Sequence, residues 1–460
     1  MFSRYPYCNV LLLLRVSARK YATKQRVVVE LDENVNDRIS NNEVKVRNHP
    51  GLVRTTNLDL PVNLKNAILG VLGGTSKKDL IKQSQSFARY LKSRNPPVEK
   101  NILNSKVSAI KQEVEESLNV DQEALSEEQL EHFTNVVQFN TYNILKQRIY
   151  NWQPIIFTHY TGLQYLFARA AAEYAVISQI FNEIKVRENF MPSTLFDFGS
   201  GVGTVVWAAN ETWGNSLKEI FCVDTSRDMI NLSENLIGSY QKELKNKLSY
   251  RQFLPIHPNY DVVVSAYSLM ELPSTVSRLE TLAKLWCKTN KYLILIEQGT
   301  TSGFKIISEA RQFILEAIKD EKTNDKSHIF SPCPHDLDCP KLSRAGQNPC
   351  HFQVSYNSYP QKQQLKNELY SYVVISKEAR KSDDKQWPRI VRPVLYRSRH
   401  VICRMCTGSG TLEEIIFSPA KHGSVPYRCA KSCKWGDRLP INIRHITEES
   451  QPSLIDPLEN

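Results

Sequence analysis

The chain has 460 residues, of which 41% are hydrophobic and 23% charged, and a formal net charge of +11. This balance excludes a globally disordered chain, and the length allows two or three domains with cores of their own. The basic surplus points to an anionic partner, with nucleic acid ahead of a membrane surface.

Residues 1–29 contain no Asp or Glu, but carry Arg4, Arg15, Arg19, Lys20, Lys24 and Arg26 and the apolar run 10–14. A basic, acid-free, amphipathic start has the composition of a mitochondrial transit peptide. The apolar run is too short to span a bilayer. In a secretory signal it would follow the basic residues, whereas here most of them follow it. Arg19-Lys20-Tyr21-Ala22 resembles a matrix-protease cleavage site, so residues 1–21 are expected to be a transit peptide and the mitochondrial matrix the destination. Residues 22–58 are polar and aperiodic and read as a linker or loosely docked arm.

Residues 59–190 read as a helical domain. Ile110, Val114, Leu118 and Leu125, then Leu130, Phe133, Val136 and Val137, recur at helical spacing. Ser126 before Glu127 and Glu128 predicts a helix start. Tyr165, Phe167, Ala168, Ala171, Ala172, Tyr174 and Ala175 form a second apolar face, expected to cap the next domain. In residues 191–320 apolar strands at 195–198, 219–224, 261–266 and 292–297 alternate with helices, which implies a parallel sheet covered on both faces.

After about residue 320 the loops are rich in Pro, Gly and Cys, around short β-type segments at 372–376, 400–406 and 412–418. Thr407-Gly408-Ser409-Gly410 is predicted to be a hairpin loop. Residues 321–440 are therefore expected to form a small β-rich domain held by metal, followed by a tail at 441–460. The fold class is α/β: an N-terminal helical region, a central Rossmann-like domain and a C-terminal β-rich metal-binding domain.

The most informative segment is 195–209, a strand, a glycine turn and a helix. Gly199-x-Gly201-x-Gly203 follows the acidic strand end Asp197, and Asp224 closes the next strand. Glycines permit a tight turn and close approach of a ligand to the backbone, and the helix start offers free amides. The pattern resembles motif I of class I methyltransferases, which bind S-adenosylmethionine. By that resemblance Asp197, Gly199, Gly201, Gly203 and Asp224 bind the cofactor, with Asp224 accepting from both ribose hydroxyls. Amine and adenine methylases carry an Asn/Asp-Pro-Pro-aromatic turn after the fourth strand. Here 265–272 reads Ser-Ala-Tyr-Ser-Leu-Met-Glu-Leu, with no Pro-Pro, no Asn and no nucleophilic Cys. No ribose-methylase Lys-Asp-Lys-Glu set can be assigned. A cofactor domain without recognisable catalytic residues is expected, and transfer by proximity alone is the rival.

Seven of the ten cysteines lie in the last third: Cys333, Cys339, Cys350, Cys403, Cys406, Cys429 and Cys433. In a reducing matrix such clustering favours metal over disulfides. Spacing alone leaves two groupings open. Cys403-x2-Cys406 with Cys429-x3-Cys433 would make a zinc ribbon, whereas Cys333-x5-Cys339-x10-Cys350 with one later Cys suits a larger iron–sulfur cluster. His335 and His351 are expected to shape the loop rather than ligate. Between Lys341 and His400 stand twelve Lys or Arg against four Asp or Glu, interleaved with Tyr356, Tyr359, Tyr370, Tyr372, Trp387 and Tyr396. Cations for phosphates and aromatic faces for bases suit RNA, while core aromatics under a solvated basic face are the alternative.

Residues 195–209, the run Glu297-Gln298-Gly299-Thr300-Thr301-Ser302-Gly303-Phe304 with Glu309-Ala310-Arg311, and the Cys-Pro-His…Cys-Pro…Cys-His-Phe run together resemble the methyltransferase-like assembly factors of the mitochondrial small ribosomal subunit. His49-Pro50-Gly51 and Cys406-Thr407…Gly410 fit as well. The resemblance implies a factor that binds the maturing small subunit, its rRNA and ribosomal proteins, and holds a 4Fe-4S cluster; a monomer with no membrane association is expected, since nothing else in the chain looks transmembrane. It gives Cys333, Cys339 and Cys350 as the first three cluster ligands and Cys406, rather than Cys403, as the fourth. Cys429 and Cys433 stay unassigned. A non-catalytic assembly factor is expected, its cofactor domain a scaffold or sensor. An active rRNA methyltransferase, or a zinc-ribbon RNA-binding module beside a vestigial Rossmann domain, are the rivals.

Overall fold

The computed structural model describes residues 26–55, 58–73, 75–121, 125–148, 152–238, 241–319, 326–342, 348–360 and 364–446. The expected transit peptide and cleavage site lie outside these residues. Among them no helix is long and apolar enough to cross a membrane.

The chain opens with β1 (Arg26–Leu31). A central eight-stranded sheet follows, made of β2 (Thr194–Phe198), β3 (Glu219–Val223), β4 (Leu248–Arg251), β5 (Tyr260–Ala266), β6 (Thr289–Gln298), β7 (His328–Ser331), β8 (Phe352–Asn357) and β9 (Leu365–Ser376). The order across it is β4-β3-β2-β5-β6-β9-β7, with β8 also paired to β9. The first five strands are parallel, and β9 runs antiparallel to its neighbours β6, β7 and β8. Alternation along the central strands sorts side chains onto two faces. Leu195, Val262, Val264, Ile294 and Ile296 join one core, while Phe196, Val263, Leu293 and Leu295 join the other. Helices cover both faces, so the strands read as continuous apolar runs.

Two expected boundaries are corrected here. β7, β8 and β9 lie beyond residue 320, yet they complete the central sheet rather than belonging to a separate domain. A β-type segment such as 372–376 states its conformation but not its partner strand. The region 59–190 is likewise not one domain. The 30-residue helix His159–Glu188 packs into the main core together with Leu64, Ile68 and Leu80 from helices Val62–Gly70 and Lys77–Ser93. Helices Lys100–Leu118 and Glu127–Arg148 pair with each other around a core of their own: Ile110, Val114, Phe133 and Val137. Ser126 starts the second of these. Its hydroxyl accepts from the Gln129 amide at 3.4 Å while the Gln129 side chain accepts from the Ser126 amide at 3.0 Å, a reciprocal capping box.

The small sheet comprises β10 (Arg389–Ile390), β11 (Leu395–Tyr396), β12 (Val401–Cys406) and β13 (Leu412–Phe417), with β12 pairing all three others. Its core includes Val401, Cys403, Met405 and Phe417, with Cys429 and Cys433 from the segment around helix Ser424–Ser432.

The arm and the tail also differ from expectation. β1 pairs antiparallel with β14 (Ile441–Ile446), Arg26 opposite Ile446 and Leu31 opposite Ile441. Val27, Val29 and Leu31 pack against the small core, an apolar alternation too short to stand out within a polar segment. Asp32 then caps helix Glu33–Ser40. Further along, the Gly51 carbonyl accepts from the Arg438 amide at 2.8 Å. A Cβ on Gly51 would lie 2.0 Å from the Arg438 carbonyl oxygen. Gly51→Ala is therefore expected to lower stability by about 1–3 kcal/mol through overpacking and to expose the arm to protease. Urea unfolding with limited proteolysis measures both, and an unchanged midpoint would refute the docking argument.

Candidate cofactor turn and thiol cavity

Between β2 and its neighbours β3 and β5 the strand order reverses, which places a crevice outside the carboxyl ends of these strands. The glycine turn occupies this point. Gly199, Gly201 and Gly203 have φ of +71°, +52° and +80°, and Gly203 caps helix Thr204–Trp213. Only glycine adopts such angles without strain. Space requires glycine as well, since a Cβ on Gly199 would meet Ser268 at 2.5 Å and one on Gly203 the Ser233 hydroxyl at 2.6 Å.

Asp197 is fully buried, and neither carboxylate oxygen has a hydrogen-bond partner among the described residues. Burial, then the charges of Asp224 and Glu173, push its pKa well above the usual carboxylate range. Asp224 braces the turn: one oxygen accepts from the Gly201 amide and the other from the Ser226 amide, both at 2.9 Å. Burial raises its pKa while those two amides oppose the rise. The five expected cofactor residues thus stand together at the switch point.

A polar network beside the turn was not anticipated from the sequence. Glu173 accepts from the Tyr165 hydroxyl at 2.6 Å and from Arg169 at 3.2 Å, and Arg169 also reaches Glu368 on β9 at 2.8 Å. The Arg169 guanidinium lies 5.0 Å from the Tyr267 ring centroid. The available signal was an Arg and a Glu at i,i+4 inside an otherwise apolar helix face. The turn after β5 is closed in the same way. Tyr267 has a φ of +59°, and its hydroxyl is buried without a partner among the described residues. The neighbouring Ser268 hydroxyl donates to the Phe198 carbonyl at 2.8 Å. At the end of β6, burial pushes the Glu297 carboxyl up to about 8, against the Met270 amide that it accepts at 3.1 Å.

Cys333, Cys339, Cys350 and Cys406 line one small cavity between the central and small sheets. They come from the loop after β7, the residue pair before β8 and the end of β12. Burial first, then the nearby thiols, raise Cys350 to about 12 and Cys406 well above the ordinary thiol value. The His335 Nε2 atom lies 3.3 Å from the Cys406 sulfur, and burial lowers His335 to about 4, so the ring is neutral. Arg311 donates to the carbonyls of His335 and Leu337, at 3.1 and 2.7 Å, and fixes the loop. The His351 ring packs on Trp435 with centroids 5.2 Å apart.

The ribbon grouping is not formed. Cys403 and Cys406 are three residues apart on one strand, so they face opposite sides. Cys406 faces the cavity, whereas Cys403 joins Cys429 and Cys433 in the small core. There the Cys433 sulfur lies 3.4 Å from the Nε2 of His49, whose Nδ1 accepts from the Gly51 amide at 3.2 Å. Among the described residues no three His, Cys, Asp or Glu side chains lie close enough together to hold a single metal ion.

One ion pair ties the small sheet to the body beside the cavity. Arg389 on β10 reaches Glu183 of helix His159–Glu188 at 2.5 Å and donates to the Pro332 carbonyl, next to Cys333, at 3.0 Å. Burial alone would raise the Glu183 pKa, but the guanidinium groups of Arg389 and Arg187 outweigh it and hold the carboxyl at about 2. In the basic stretch from Lys341 to His400 the aromatics are mostly core: Tyr370, Tyr372 and Trp387 are buried, and Tyr356 and Tyr359 half-buried. Tyr396 alone of the six is exposed, at 49%.

Five parallel strands in the order β4-β3-β2-β5-β6, an antiparallel β9 inserted between β6 and β7, and a glycine turn at the order reversal define a protein of the class I methyltransferase type. The chain belongs to the mitochondrial small ribosomal subunit Rsm22 family, whose model matches residues 159–440. It is 36% identical over 404 residues to the human mitochondrial ribosome assembly protein METTL17, covering 86% of each chain. It is 32% identical over 251 residues to the mitochondrial Rsm22-cox11 tandem protein 2 of Schizosaccharomyces pombe, covering 43% of this chain and 33% of that one. Among solved structures, an S-adenosylmethionine-dependent methyltransferase from Aquifex aeolicus is 14% identical with a TM-score of 0.31, covering 48% of this chain and 100% of that one.

Proposed function

We propose that the protein is a mitochondrial matrix factor for assembly of the small ribosomal subunit. It acts by binding pre-subunit rRNA and proteins rather than by methyl transfer, and holds a 4Fe-4S cluster on Cys333, Cys339, Cys350 and Cys406. Family membership and the assembly role named for the human relative support the cellular setting. The observation that carries the molecular part is the convergence of four sequence-distant thiols on one cavity between the two sheets. A tetrahedral zinc site, with bonds of about 2.3 Å, needs its sulfurs within about 4 Å of one another. Four thiolates suit either such an ion or a cubane iron–sulfur core, and the likeness of the Cys-Pro-His…Cys-Pro…Cys-His-Phe run to the assembly factors favours the cubane. When bound, such a core supplies a cross-link between loops, and the surrounding residues set its position.

The turn centred on Gly201 is the proposed seat of S-adenosylmethionine. The two unpartnered oxygens of buried Asp197 fit a cationic or hydrogen-bond-donating ligand. The absence of methyl transfer is supported by the turn after β5, where Ser268 is stapled to the end of β2 and Tyr267 is overlaid by Arg169.

Gly203→Ala tests the two readings together. Its strained φ and the contact with Ser233 are expected to abolish the rise in melting temperature that S-adenosylmethionine gives the wild type. Sedimentation with the small-subunit particle should persist. Mass-spectrometric mapping of the rRNA should find no methyl mark lost. A mark that vanishes with Gly203→Ala would instead make the protein an rRNA methyltransferase.

A further inference from the structure

We propose that the cleft between the methyltransferase-like body and the small sheet is a pocket for one unpaired nucleotide of an RNA strand. The proposal rests on the assembly-factor reading for the source of that strand, and on the cleft itself for the chemistry. The cleft is a cavity of about 380 Å³, within the range of small-ligand sites. The buried rings of Phe352, Tyr370 and Tyr372 back it, and the exposed Tyr396 and half-buried Trp435 line it with accessible ring surface. Aromatic faces stack nucleobases irrespective of sequence.

Two features make this a built site rather than a gap between packed elements. The Tyr396 hydroxyl donates to the Cys433 carbonyl at 3.0 Å, which holds a 49%-exposed ring in place as a platform. The Trp435 indole N–H is buried with no acceptor among the described residues. An unpaired buried donor costs about 1–3 kcal/mol, and the ring nitrogens and carbonyls of a base are acceptors that would relieve it.

The electrostatics favour a phosphate-bearing ligand. Lys434 is exposed, and Arg54 is held by Asp437 and by the Ser432 carbonyl. Glu183, the one carboxylate in the lining, is neutralised by Arg389 and Arg187. An anion entering the cleft therefore meets the exposed Lys434 ammonium, while Arg54 and Glu183, the other charged lining residues among the described ones, are each already paired. A lipid tail or an apolar helix would leave these polar groups unmatched.

The test is fluorescence anisotropy of the full-length protein with a labelled eight-nucleotide single-stranded RNA at fixed salt. Tyr396→Ala and Lys434→Glu are compared with wild type after circular dichroism confirms folding. Tyr396→Ala is expected to weaken binding about 5- to 150-fold, the loss of one stacked base, and Tyr396→Phe, which keeps the ring but loses its tether to the Cys433 carbonyl, to weaken it less than Tyr396→Ala. Lys434→Glu should weaken binding and flatten its salt dependence. A nucleoside monophosphate should compete only far more weakly than the strand. Equal affinity of Tyr396→Ala and wild type overturns the pocket while leaving the assembly role intact. Failure of the wild type to bind the strand at all overturns both. A monophosphate that binds as tightly as the strand, or a photo-crosslink from this cleft to a ribosomal-protein segment instead of RNA, overturns the choice of ligand.

Discussion

Cys350→Ser is expected to strip the protein of iron and to loosen the small sheet from the body. Cys350 lies two residues before Phe352, the first residue of β8 and part of the main core, and the Cys350 carbonyl accepts from the Ser371 hydroxyl of β9 at 2.9 Å. Its sulfur therefore sits on the rigid side of the cavity, whereas Cys406 arrives from the small sheet. Burial and the neighbouring thiols raise Cys350 to about 12, so its side chain is a neutral thiol until a metal binds. Loading must release protons, and it should be favoured by rising pH. Anaerobically purified wild type is expected to be brown and to hold about four irons per chain, as a cubane on four thiolates requires. Cys350→Ser should lose the colour and the iron and melt at lower temperature. Cys403→Ser is the control. It lies three residues from Cys406 on the opposite face of β12, so its iron should be unchanged. Wild type that carries one zinc and no iron, or Cys350→Ser that keeps its iron, would defeat the cluster assignment.

The glycine turn was legible because positive φ leaves few residue choices, and Asp197 and Asp224 were legible because they end strands at a fixed interval around it. Pairings between distant segments were not. Nothing in the local pattern of Leu365–Ser376 tells a small-domain strand from one that inserts between β6 and β7. The arm was misjudged for the same reason, since Val27, Val29 and Leu31 form a short alternation whose partner lies more than four hundred residues away. Strand parity separates Cys403 from Cys406, and it could be applied only once 401–406 was known to be one uninterrupted strand. The interleaved aromatics of the basic stretch misled in part. Tyr370 and Tyr372 sit two apart on β9 and so share one face, and that face is buried. The spacing was readable, but the identity of the covered face depended on the sheet being packed by helix His159–Glu188.

Glu183→Ala is expected to lower the unfolding free energy by about 3–5 kcal/mol, because it leaves the Arg389 guanidinium buried without its carboxylate. Both side chains are almost fully buried, at 4% and 3% exposure, so solvent cannot compensate the loss. The pair has a signature that a packing defect would lack. The Glu183 carboxyl is held at about 2 in the folded protein against an ordinary value of 4.5. A depressed carboxylate stabilises the fold at pH above its unfolded value and loses that contribution as pH falls through the folded one. The contribution is about 3 kcal/mol, fully present above about pH 5, more than half gone by pH 3 and absent well below pH 2. Glu183→Gln keeps the shape and several hydrogen bonds but cannot titrate. Denaturant unfolding from pH 6 to pH 2.5 should therefore show wild type losing more stability on acidification than Glu183→Gln, with their curves converging at the acid end. Parallel curves would mean that Glu183 is not the titrating partner of Arg389. Because Arg389 also holds the Pro332 carbonyl beside Cys333, the same variants should lose iron faster to a chelator. The stability of the thiol cavity is thereby linked to a charge on the far end of the helix that carries Glu173 beside the glycine turn.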